Sequence, residues 1–159
     1  MIRFSHEQRI EVITIRLKIE ESNEFQEIEI TIRCPEVDER LSRLIRQINQ
    51  MMYSFTVTKD DAVYSIQSSD VLYIETVDNA SFLYTQDNVY ESELRLYEFE
   101  NQLKDTRFLR ISKHMMVNTS KIESVRALLN GRFEAILENG EMVIVNRHYA
   151  KIFRKHFLG

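Results

Sequence analysis

The chain has 159 residues, 43% hydrophobic and 29% charged, a balance that fits one folded globular domain with a small appendage and excludes a disordered chain. No apolar run approaches the roughly 20 residues needed to cross a bilayer, and the charged start MIRFSHEQRIEV lacks the apolar stretch of a signal peptide. One cysteine, Cys34, excludes an internal disulfide and fits a reducing compartment, so a cytoplasmic protein of bacterial type is expected.

The formal charge of −4 conceals an asymmetry. Residues 51–105 carry three basic side chains against eleven acidic ones, whereas residues 106–159 carry ten basic against four acidic. His114, His148 and His156 also fall in the basic third. Two readings follow from charge alone. Either the C-terminal third meets a polyanion, or the two segments pair in space and cancel.

In chain order, the first 50 residues read as a separate β-β-α unit. In RIEVITIRLKI the residues Ile10, Val12, Ile15, Leu17 and Ile19 recur mostly at every second position, and FQEIEITIR places Ile28, Ile30 and Ile32 on one face. Such alternation predicts a hairpin. Pro35 is expected near the first turn of a following helix, whose apolar side is Val37, Leu41, Leu44, Ile45 and Ile48. A unit this small buries too little surface to stand alone, so it is expected to dimerise or to pack on the rest of the chain.

From Tyr53 the strands are short and the turns explicit. SFTVT and AVYSI flank Lys59-Asp60-Asp61, VLYIETV and SFLYTQ flank Asp78-Asn79-Ala80, and NVYES follows Gln86-Asp87-Asn88. Ser92 is a candidate cap for a helix through Leu94, Leu96, Phe99 and Leu103. KIESVRALL, RFEAILE and EMVIV are joined by Asn130-Gly131 and Asn139-Gly140, a strong hairpin signal because both turn positions favour positive φ. A short basic helix, NRHYAKIFRKHF, closes the chain. This pattern predicts a mainly β fold and excludes a doubly wound α/β fold.

Little in the sequence supports catalysis. Three glycines cannot supply a P-loop or dinucleotide fingerprint. His148 and His156 are eight apart, which is not metal-ligand spacing on a helix. Cys34, beside Pro35 and without a local histidine, is a poor nucleophile. No enzyme, cofactor, metal or small-molecule substrate is expected. The basic residues do form a pattern. Arg107, Arg110, Lys113 and His114 crowd one loop, and Arg147, His148 and Lys151 crowd the start of the last helix, with Arg154 and Lys155 beyond. Such groups can neutralise phosphates, and arginine presents a planar fork to guanine. For Lys151, Arg154 and Lys155, favourable placement near a helix C-terminus is the competing explanation.

Residues 53–159 resemble the LytTR-type DNA-binding domain, the output module of LytR/AgrA-like regulators. The resemblance rests on VLYIETVDNASFLYT, the helix at Leu96, Phe99 and Leu103, RFLRISKHMMVNTSKIESV, the Asn-Gly hairpins and VNRHYAKIF, in that order. It implies an elongated β-β-β sandwich of short antiparallel strands whose loops enter successive grooves of double-stranded DNA, commonly at direct repeats and as a pair of protomers. It implies base contacts from three places: the loop with Asn79 and Ser81, Lys113 with its neighbours Arg110 and His114, and Arg147 with His148 and Lys151 close by. Relatives commonly read Arg-x-His-[Arg/Lys/Asn]-Ser, whereas this chain has Arg110-Ile111-Ser112-Lys113-His114, which leaves the base preference at the middle contact open while the resemblance still implies a contact there. The first loop, with Glu75 and Asp78 nearby, has no cation of its own. The first 50 residues resemble the N-terminal segment of short members without a receiver domain.

The expectation is therefore a sequence-specific DNA-binding transcription regulator acting as a homodimer. The rival is a protein-interaction module whose basic surface docks an acidic partner or the cytoplasmic face of a membrane protein. RNA binding calls for an exposed aromatic platform, whereas Tyr64, Tyr73 and Tyr84 mostly fall in strand alternation consistent with core.

Overall fold

The structure is a computed structural model that describes residues 16–158. The chain divides into two units, one ending at Pro35 and the other starting at Glu36. In the first unit, residues 16–35 carry no strand, and Leu17 and Ile28 are 86% and 94% exposed. The hairpin expected over residues 10–32 begins outside the described residues, and its described part is not paired as one. Two strands alone bury too little apolar surface to hold such a ladder. The helix expected to belong with them falls in the second unit instead.

That helix, α1 (Glu39–Met51), starts where the Asp38 carboxylate accepts a hydrogen bond from the Leu41 amide at 2.8 Å, satisfying one orphan donor of the first turn. Pro35 lies before this cap rather than in the first turn. Ten strands follow: β1 (Ser54–Lys59), β2 (Ala62–Gln67), β3 (Val71–Val77), β4 (Ala80–Thr85), β5 (Val89–Ser92), then helix α2 (Leu96–Gln102), β6 (Phe108–Arg110), β7 (Met115–Asn118), β8 (Ile122–Ala127), β9 (Phe133–Leu137), β10 (Met142–Val145) and helix α3 (Arg147–Leu158). They form a seven-stranded sheet in the order β2-β1-β5-β4-β3-β7-β6 and a three-stranded sheet in the order β10-β9-β8. Every pairing is antiparallel, and the mainly β architecture is the one expected from the short strands.

The turns show why the strands are so short. Asp60-Asp61 and Asp78-Asn79 each place two consecutive residues at positive φ, the geometry that matches the twist of a tight hairpin. Asn130-Gly131 does the same, at φ 64° and 72°. The second Asn-Gly differs from expectation. Only Gly140 is at positive φ, and the amides of Gly140 and Leu137 close a longer loop onto Leu137 and Glu141 carbonyls. Ser92 also differs from expectation: it ends β5 and its hydroxyl accepts from the Leu94 amide, while α2 starts after Arg95, whose amide donates to the Glu98 carboxylate at 2.7 Å.

Two cores share the strand β3. On one face Val71 and Ile74 pack with Phe55, Leu83, Phe99, Leu103 and Met116. On the other, Leu72 and Tyr73 pack with Ile111, Val117, Leu137, Val145 and Phe153 of α3. Consecutive residues Leu72 and Tyr73 serve the same core because the register slips between Val71 and Tyr73, as a bulge allows. Burial on both faces explains why VLYI reads as a continuous apolar run.

Candidate nucleic-acid interface

The stretch FLRISKHMMVN folds as β6, a loop and β7. Phe108, Ile111, Met116, Val117 and Asn118 are buried. Asn118 donates to the Val71 carbonyl at 2.9 Å and accepts from the Ser120 amide and hydroxyl, so it is a structural cap. Arg110 organises the loop. Its guanidinium donates to the Ser112 carbonyl at 3.1 Å, the Lys113 carbonyl at 2.6 Å and the Glu100 carboxylate at 2.8 Å. With three of its five N–H donors engaged in this way, Arg110 holds the backbone that presents Lys113 and His114, both exposed.

Two backbone hydrogen bonds bring the neighbouring loops alongside. The Thr76 amide donates to the His114 carbonyl at 2.8 Å, and the Asn146 amide donates to the Ile111 carbonyl at 2.8 Å. The first bond places the β3–β4 turn on one side of the 111–114 loop, with Asn79 three residues beyond Thr76, or roughly 10 Å along the chain. The second places the start of α3 on the other side. There Arg147 is the first helical residue, with its stem packed over the Asn-Gly turn. A Cβ on Gly131 would lie 3.5 Å from the Arg147 Cγ. His148 meets Tyr149 edge-on at 4.9 Å, and Lys151 is exposed one turn on. Arg147, His148 and Lys151 thus share one end with Lys113 and His114.

At the β3–β4 turn, Asn79 is exposed and its carbonyl accepts from the Arg95 guanidinium at 2.7 Å. The turn therefore has a cation after all, delivered from the α2 end sixteen residues later, and no local sequence signal points to it. Ser81 departs from expectation in the opposite sense. It is fully buried, with its hydroxyl 3.4 Å from that of Thr76, because alternation along β4 turns it inward. It presents no side chain at this surface.

The charge asymmetry is left open in space. Among the described residues, only Arg110–Glu100 joins the basic third to the acidic segment as an ion pair; Lys121–Glu138 and Arg126–Glu134 lie within the basic third. Lys113, Arg147 and Lys151 have no carboxylate partner among those residues.

The tyrosines sort differently from one another. Tyr73 and Tyr84 stack at 4.2 Å. Burial, then the Glu141 carboxylate, pushes the Tyr73 phenol above its ordinary range; burial, then Glu75, does the same to Tyr84. Tyr64 instead is 41% exposed on the edge strand β2, the exception among the three tyrosines read as mostly core.

A protein-family comparison matches the LytTr DNA-binding domain to residues 61–158. The chain belongs to this family. A LytTr DNA-binding domain from Bacillus cereus superposes with a TM-score of 0.63 at 28% identity, covering 67% of this chain and 96% of that one. An uncharacterized HTH-type transcriptional regulator of Staphylococcus aureus is 28% identical over 128 residues, 79% of this chain and 86% of that protein. The transcriptional regulatory protein LytR of Staphylococcus aureus is 29% identical over 101 residues, 64% of this chain and 41% of that protein. Among the described residues of this LytTr domain, no two α-helices follow one another directly in the chain. No described helix is long and apolar enough to cross a membrane.

Proposed function

We propose that this LytTr protein is a sequence-specific transcription regulator that reads double-stranded DNA through three adjacent loops. Lys113 and His114 form the middle contact, Arg147 with His148 and Lys151 one flank, and Asn79 the other. Arg110 and Arg95 hold the middle and first loops in place. Ser81 drops out of the contact set. The observation that carries this reading is a set of cations without a carboxylate partner among the described residues, on loops tied together through the Ile111 and His114 carbonyls. Lysine and arginine there release counterions from phosphates, and Arg147 and Asn79 supply the forks that match guanine and adenine edges. Two copies on a direct-repeat site would enter successive grooves.

The test is selection of bound duplexes from a random DNA pool with the full chain, followed by titration at several salt concentrations. The proposal expects one enriched motif and a steep loss of affinity with salt. A folded protein that shifts no DNA at low salt contradicts it and favours docking of an acidic protein partner.

A further inference from the structure

Far from the loops, three basic side chains converge where α1, the segment between α2 and β6, and the end of α3 meet. His156 lies nine residues beyond Arg147, about 13 Å along the helix. The Nε of Arg46, the Nε of Arg107 and the Nε2 of His156 are each buried without a hydrogen-bond partner. Buried polar atoms are nearly always satisfied, and leaving one buried and unpaired is costly, above all on a guanidinium. Three such atoms on neighbouring basic side chains point to a shared partner.

Counter-charge is short here. Arg46 reaches Glu39 only at 3.9 Å, and no carboxylate lies within ion-pair distance of Arg107 or His156 among the described residues. The surroundings are fixed, because the buried Gln50 of α1 accepts the Arg107 amide through its side chain and the Ser68 hydroxyl through its carbonyl. The groups sense one another. Burial first, then Arg46 and Arg43, lowers the Arg107 guanidinium. Burial first, then Arg46 and Arg107, pushes His156 down to about 4.

We propose that Arg46, Arg107 and His156 form a binding site for a compact phosphoryl-type oxyanion, separate from the DNA-reading loops. Two guanidinium N–H groups and an imidazole that can be protonated, close enough to influence one another, suit a tetrahedral oxyanion, which accepts several charge-assisted hydrogen bonds at once. The negative end of the α3 dipole opposes an anion here, but a dipole end carries only about half a charge against two guanidinium charges. Bound there, the anion ties α1 to α3 and to the strand β6 that leads into the 111–114 loop. The chemistry admits free phosphate or the phosphoryl group of a monoester.

The experiment uses the full chain in phosphate-free buffer, with inorganic phosphate added at millimolar concentration and ionic strength held constant with chloride. The site predicts a saturable rise in melting temperature that chloride does not give, with affinity weakened about tenfold or more in Arg107→Gln and His156→Gln. It also predicts that phosphate raises the His156 pKa, followed by NMR on the unmodified chain, which keeps the proposal testable if a variant does not fold. Glycerol phosphate in a parallel titration assigns the source: tighter binding than phosphate marks a monoester site, and equal or weaker binding a free-anion site. Phosphate acting no differently from chloride, an equal response in both variants, or a His156 titration unmoved by phosphate overturns the proposal.

Discussion

The two ends of α3 carry similar residue types in opposite circumstances. At its start, Arg147 and His148 are exposed beside the 111–114 loop, with the Arg147 guanidinium in solvent. At its end, His156 is half-buried against Arg46 and Arg107, with its Nε2 out of water. A basic side chain in solvent keeps its charge cheaply and is ready for a polyanion. One packed against two guanidinium groups loses its proton or acquires an anion. Counting cations along the sequence cannot separate these fates; packing does.

The most drastic way to break the comparison is to remove what holds α3 in place. Phe153 is fully buried between Phe133 and Phe157, at ring distances of 5.8 and 5.6 Å. Phe153→Ala is expected to cost about 3–5 kcal/mol of stability by transfer and cavity terms, measured by urea unfolding, and to displace both ends of the helix together. Arg147→Ala acts on the first end alone. It is expected to weaken the cognate DNA complex by about 1–3 kcal/mol while melting temperature and non-specific binding stay nearly unchanged.

The far end responds to pH. The unfolded imidazole titrates near 6.5 and the folded one near 4, so between these values the unfolded chain binds more protons. Stability held above pH 6.5 should therefore fall as the pH drops toward 4. Because His156 is partly exposed, solvent screening reduces the effect to roughly 1–2 kcal/mol. Denaturant titrations across this range should show the slope in the unmodified chain and its loss in His156→Gln; saturating phosphate should flatten it if the oxyanion site is filled. The smallest effect is expected at Lys151. Lys151→Ala should lower DNA affinity similarly on all sequences and reduce the salt slope by about 1, with stability changed by less than about 0.5 kcal/mol.

Much of the second unit was legible because its signals are local. Alternation and turn residues located the hairpins around Asp60-Asp61, Asp78-Asn79 and Asn130-Gly131, where positive φ is a property of the turn itself. Ser81 was misplaced although the signal existed: it alternates with Phe82 on β4, and its inward face follows from Leu83 lying two residues on. Arg95 at the first loop and the Arg46–Arg107–His156 cluster were not legible, because each joins residues from separate elements. The hairpin expected over residues 10–32 begins outside the described residues, and its described part carries no strand, since alternation records only a potential for pairing.

The central claim is that the 111–114 loop and the start of α3 read DNA as one surface. Its most direct test is the site preference of Lys113→Ala/Arg147→Ala, measured as the affinity ratio between the selected duplex and a scrambled one at fixed salt. The account predicts that this ratio collapses toward unity while weak, salt-sensitive binding to both duplexes persists and the fold is unchanged. A double variant that keeps the full preference of the unmodified protein would contradict it.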